Sequence, residues 1–138
     1  LDEFRRGLAA DYRRTVQNFL ALQTRGDEHS LETLRRLRGH LASHGEPEPR
    51  ALAMGLEILR TADLRDVLPR ITLPSLVIAG EHDRLTPPDA GRALAAQLPS
   101  ARFQLVERSG HAPFLSHPQS VLAEVLGFLA RHPGEEPA

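Results

Sequence analysis

The chain has 138 residues, no cysteine and no tryptophan, and 17 basic residues set against 18 acidic ones, for a formal net charge of −1. This fits one domain-sized globular unit or a piece of one, and it excludes disulfides, cysteine-based metal sites and a thiol nucleophile. The near-neutral balance argues against nucleic acid as a partner. No apolar run approaches the ~20 residues of a membrane span, so no membrane partner and a cytoplasmic location are expected.

Residues 1–62 read as helical. Phe4, Leu8, Tyr12, Val16, Phe19, Leu20 and Leu22 or Gln23 recur at spacings of three and four, which predicts one long amphipathic helix closed by Gly26. Asp27 or Ser30 can cap a second helix whose apolar side is Leu31, Leu34, Leu37 and Leu41. Glu46-Pro47-Glu48-Pro49 makes a turn and a helix entry, and a third helix over 51–61 is expected to face Leu52, Leu56 and Leu59 inward. After Asp63 the pattern changes. Residues 63–68 predict a short helix, and the continuously apolar run Ser75–Gly80 suits a strand covered on both faces. A helix over 89–98, a strand over 102–106 and a final helix over 121–131 follow, and 133–138 reads as a frayed polar tail.

The fold class is therefore α/β, with a helical segment at 1–62 and a strand–helix–strand–helix segment at 63–132 whose strands run parallel through a right-handed crossover. Two strands alone leave long unpaired edges and little core. Together with Leu rather than Met at position 1, this leads to the expectation that the chain is incomplete and that further strands come from elsewhere.

Two loops carry the candidate chemistry, and both follow strands. In open parallel sheets functional groups gather at the carboxyl ends of the strands. Asp83 stands three residues after the first strand and His111 five after the second, and adjacent strands lie ~4.8 Å apart, so the two side chains can meet. An aspartate that accepts from one ring nitrogen fixes the histidine tautomer and leaves the other nitrogen to take a proton from a nucleophile. The competing reading is a turn-forming Asp and a surface His, which is what such residues in loops more often are. Glu81 is a rival carboxylate closer to the strand end. His29, His40 and His44 show no metal-ligand spacing, His82 and His117 read as structural, and no metal site is expected.

Gly80-Glu81-His82-Asp83-Arg84-Leu85-Thr86-Pro87, followed by Ser109-Gly110-His111-Ala112-Pro113-Phe114, resembles the end of α/β-hydrolases, in which the acid follows one late strand and the His the last. Upstream, Arg14-Thr15-Val16 and Phe19-Leu20-Ala21-Leu22-Gln23-Thr24 resemble the helical lid of one branch of that family, the pimeloyl-[acyl-carrier protein] methyl ester carboxylesterases. So do Gly55 to Thr61, Asp63-Leu64-Arg65, Leu73-Pro74 and Ser116-His117-Pro118. The resemblance spans about residues 4–132. It implies the C-terminal portion of an α/β-hydrolase fold preceded by a lid, and a carboxylesterase of biotin synthesis that needs no cofactor and no metal. It further implies Asp83 as triad acid and His111 as general base. Phe19, Leu20, Ala21, Leu22 and Gln23, with His111, would line the acyl site, and Arg14 and Arg35 would meet an acidic acyl carrier protein.

Two other arginine positions of that lid are Asn18 and Leu31 here. Residues 5–38 nonetheless carry eight Arg against four acids, a local excess that suits an acidic partner. The chain contains no G-x-S-x-G elbow and no oxyanion-hole loop. A His–Asp pair without a nucleophile activates nothing, so this chain is expected to be inactive alone and to require an N-terminal half of the hydrolase domain. Two other readings stay open: a broad-specificity esterase for short acyl groups, and a non-catalytic helical module that recruits a partner.

Overall fold

The structure is a computed structural model that describes residues 2–43, 45 and 47–132. Four helices come first: α1 (Asp2–Ala10), α2 (Tyr12–Gln23), α3 (Ser30–Ser43) and α4 (Pro49–Thr61). They are followed by β1 (Ser75–Gly80), α5 (Pro88–Gln97), β2 (Ala101–Val106), the single turn α6 (Pro113–Ser116) and α7 (Pro118–Arg131). The expected tail at 133–138, like His44 and Glu46, lies outside the described residues.

The apolar stripe over 4–23 belongs to two helices rather than one. Asp11 takes an extended conformation (φ −154°, ψ 91°), and its carboxylate accepts the Arg14 N–H at 3.0 Å, which is an N-cap. The capping carboxylate outweighs the unbroken periodicity, and α1 packs against α2. Phe4 stacks on Phe19 with ring centroids 4.8 Å apart, so the stripe is shared across the break. In α3 the buried position is Thr33, while Leu31 is exposed at 79%. In α4, entered through Pro49 with Glu48 as its cap, Leu56 is buried but Leu59 is exposed, contrary to the expected inward face. The expected helix at 63–68 is a turn followed by a 3₁₀ turn, Leu68–Arg70. Pro69, which has no N–H to donate and so cannot sit in the interior of a continuing α-helix, lies inside that 3₁₀ turn.

β1 and β2 pair in parallel, from Ser75 opposite Ala101 to Gly80 opposite Val106, and are the two strands among the described residues. α5 and α7 pack on this sheet. Gly91 of α5 faces the Phe103 ring and Ala79, and the Arg92 guanidinium lies 4.6 Å from the centre of that ring. Arg102 of β2 pairs with Glu124 of α7 at 2.9 Å. β1 is half-buried over its first four residues and buried only at Ala79 and Gly80, so its apolar sequence is covered less than a doubly shielded strand requires. Leu122, Leu126 and Leu129 of α7 are likewise more than half exposed. No helix among the described residues is long and apolar enough to cross a membrane.

Candidate active site

The carboxyl ends of β1 and β2 are drawn together by glycine. A side chain at Gly80 would place its Cβ 1.9 Å from the Gly110 carbonyl oxygen, and one at Gly110 would place it 2.6 Å from the Gln23 carbonyl oxygen. Only residues without a Cβ allow these approaches. The strand ladder then continues into the loops, where Glu81 N–H donates to the Val106 carbonyl at 2.9 Å and His82 N–H to the Ser109 carbonyl at 2.8 Å.

In this frame Asp83 and His111 meet. His111 Nδ1 lies 2.8 Å from Asp83 Oδ2, so a proton on Nδ1 is donated to the carboxylate. Asp83 is buried and its other bonds come from its own loop. Oδ1 accepts the N–H groups of Leu85 at 2.8 Å and Thr86 at 2.9 Å, while Oδ2 also accepts the Thr86 hydroxyl at 2.8 Å. Burial alone would raise the Asp83 pKa, but the Thr86 N–H, His111, the Thr86 hydroxyl and the Leu85 N–H together outweigh it. The carboxyl is held below its ordinary 3.8. The His111 ring is 30% exposed. Both residues border a hollow of ≈ 320 Å³ beside β1, shared with Ile78, Ala90 and Leu94.

This arrangement can hold an imidazole in one tautomer and stabilise it when it gains a second proton at Nε2. Glu81, the rival carboxylate, is occupied elsewhere: its Oε2 accepts the Arg108 N–H at 2.8 Å. Pro87 and Pro88 end the Asp83 loop, with Pro88 as the first residue of α5.

The helical segment reaches this site through its backbone. His111 N–H donates to the Gln23 carbonyl at 2.8 Å. Phe19 and Leu22 border a hollow of ≈ 510 Å³ with Phe4 and with Leu85 of the Asp83 loop. Leu20 is buried on another side of α2, beside Tyr12, Val16 and Leu41, and Ala21 is exposed. Five consecutive helical residues cannot share one face, so the structure brings Phe19, Leu22 and Gln23 toward the loops and not Leu20 or Ala21. Arg14 and Arg35 are exposed on α2 and α3, and neighbouring Arg36 donates to the Leu115 carbonyl at 3.0 Å.

The roles of five further residues do not show in the sequence. Thr86, in contact with Asp83 and 3.3 Å from His111 Nδ1, was signalled only by the Asp-x-x-Thr spacing of a local turn. Asp27, expected as a helix cap, is buried. It accepts His29 N–H at 2.7 Å and, across 83 residues, Gly110 N–H at 2.9 Å. Glu28, His29 and His117 converge with ligand atoms within 4.8 Å of one another, a grouping that neither the spacing of His29 nor the structural reading of His117 shows, because the partners are too far apart in sequence.

The α/β hydrolase fold family model matches residues 4–118. The pimeloyl-[acyl-carrier protein] methyl ester esterase of Stenotrophomonas maltophilia (strain K279a) is 45% identical over 129 residues, covering 94% of this chain and 50% of the relative. The enzyme of the same name from Xanthomonas oryzae pv. oryzae (strain MAFF 311018) is 44% identical over 131 residues, covering 95% and 52%. The chain thus spans about half the length of the curated relatives it matches. Among solved structures, a hydrolase from Pseudomonas aeruginosa PA01 superposes with a TM-score of 0.69 at 28% identity, over 93% of this chain and 49% of that one. An esterase from Exiguobacterium antarcticum reaches 0.79 at 21% identity, over 94% and 47%, a likeness of fold alone.

Proposed function

This chain belongs to the α/β hydrolase fold family, and from that premise we propose that it supplies the acid, the base and the helical lid of a BioH-type serine carboxylesterase. The substrate we infer is the methyl ester of a pimeloyl chain carried on acyl carrier protein. The observation that carries the reading is the 2.8 Å contact between His111 Nδ1 and the buried Asp83 carboxylate, in a chain whose relatives bear that esterase's name at 44–45% identity.

In this reading the serine and the oxyanion-hole donors come from residues outside these 138. His111 Nε2 takes the proton of the serine hydroxyl as its oxygen attacks the ester carbonyl, and the same proton passes to the departing methoxide, releasing methanol. Water then attacks the acyl-enzyme, again giving its proton to His111, and the freed serine recovers it as the pimeloyl carrier leaves. Asp83, already ionised, stabilises the imidazolium in each half-reaction without taking a proton. Residues 1–62 act as the lid, 63–132 as part of the core. Phe19 and Leu22, which border a hollow with Leu85 of the Asp83 loop, and Gln23, whose carbonyl holds the His111 N–H, are assigned to the acyl site, and Arg14 and Arg35 attract the acidic carrier.

The test is a comparison of substrates on the full-length protein that contains this chain. A kcat/KM for the carrier-bound methyl ester well above that for a free short-chain methyl ester supports the assignment. Equal values would replace it with a broad esterase for short acyl groups, and turnover of neither would remove the esterase reading.

A further inference from the structure

We propose that Glu28, His29 and His117 form a binding site for Zn²⁺ at the junction of the α2–α3 loop with the start of α7. The site is additional to the Asp83–His111 pair, and the esterase reading neither requires nor assigns it.

The donor set is one carboxylate and two imidazoles, the three-ligand pattern that leaves a fourth position of a tetrahedral zinc for water. His117 Nε2 lies 2.8 Å and His29 Nε2 3.8 Å from the same oxygen, Glu28 Oε1. Ligands ~2.0–2.1 Å from a tetrahedral ion stand about 3.4 Å apart, between those two separations, and all three ligand atoms lie within 4.8 Å of one another, so side-chain adjustments of the order of 1 Å admit the metal. The other carboxylate oxygen is engaged, since Oε2 pairs with Arg108 Nη1 at 3.0 Å. Oε1 is therefore the atom left facing the imidazoles.

The scaffold beneath the three ligands is fixed independently of any ion. Glu28 N–H donates to the Arg108 carbonyl at 2.9 Å, and His29 N–H is held by Asp27. The outer partner of His117 is also suited to a metal. Its Nδ1 lies 2.8 Å from the Oγ of buried Ser116, which in turn is 3.4 Å from the Ala112 carbonyl. Without metal, Nε2–H donates to Glu28 and the serine hydroxyl donates to Nδ1. With metal on Nε2 the ring proton moves to Nδ1 and is donated to the serine, whose hydroxyl turns to the Ala112 carbonyl. A second partner able to accept as well as donate is what a metal-bound histidine needs to change tautomer without leaving a buried group unsatisfied. His29 is half exposed and gives the ion an entry from solvent.

The experiment is a calorimetric titration of the metal-stripped full-length protein with Zn²⁺ alone, repeated with His29→Ala and His29→Gln, and with Co²⁺ as a spectroscopic stand-in. Outer partners of metal-bound histidines are worth about 10–100-fold in affinity, and loss of a direct ligand costs at least that much. The expected result is one ion per chain, the visible bands of tetrahedral Co²⁺, and at least about tenfold weaker binding in both variants. Ester turnover of the metal-free variants should equal that of the metal-free parent. No zinc binding by the parent, or binding that both His29 variants leave unchanged, overturns the proposal.

Discussion

The loop that carries His111 is tied at nearly every residue, whereas α4 contributes a single buried side chain, Leu56, and leaves Met54, Ile58 and Leu59 in solvent. Arg108, Ser109, Gly110 and His111 each exchange backbone bonds with β1's loop or with the end of α2 and the turn after it. The difference teaches where this chain determines its own geometry. The imidazole and its carboxylate are placed by bonds within these residues. The apolar surfaces of α4 and α7 await cover that the described residues do not provide, and such patches mark interaction surfaces.

The comparison can be broken most severely at Asp83. In the full-length protein, Asp83→Asn keeps the size of the side chain but not its charge, and loss of the equivalent charge in a catalytic triad lowers kcat by about 10,000-fold. A loss below tenfold in a steady-state ester assay would mean that another carboxylate serves His111. The same variant has a pH signature. Because the folded-state pKa of Asp83 lies below 3.8, its ionised form stabilises the folded chain above that ordinary value, and the contribution is lost as pH falls through the folded value. In acid denaturation the gap between parent and Asp83→Asn should close as pH falls through the folded-state value of Asp83, below 3.8.

Asp27 sharpens the comparison at the next level. Asp27→Ala leaves the Gly110 N–H without its acceptor, and an unpaired buried donor costs about 1–3 kcal/mol. Denaturant unfolding should show that loss, and local hydrogen exchange should rise at Gly110 and His111 ahead of β1. Asp27→Asn, which keeps an oxygen for one of the two bonds, should lose less. Equal stability of Asp27→Ala and parent would show that the loop does not depend on the helical segment.

The smallest effect belongs to the exposed arginines. Replacing Arg14 and Arg35 together should raise KM for the carrier-bound ester a few-fold at low salt, with kcat preserved, and the effect should fade as salt rises. A KM unchanged at low salt would take both out of the carrier contact.

Much of the sheet half was legible because its signals are local: the apolar run at 75–80 and the acid and histidine placed after consecutive strands, which became a parallel pair with those two residues in contact. The helical half was read less well, for reasons that periodicity cannot supply. Asp11 breaks the first stripe by capping, an effect of one carboxylate. Leu31 and Leu59 have the right spacing but face solvent, because spacing defines a face and not what lies against it. At the site, Asp83 and His111 were found by position along the chain. Asp27 and the Glu28–His29–His117 cluster depend on bonds across more than 80 residues, which no local pattern encodes.

The most direct test is His111→Ala in the full-length protein, assayed for turnover of the carrier-bound methyl ester and, separately, for carrier binding. kcat should fall by at least about 10,000-fold, as for removal of a catalytic histidine, while carrier affinity stays within a factor of about two. Turnover retained in His111→Ala would contradict the assignment of His111 as the base, and with it the role given to Asp83.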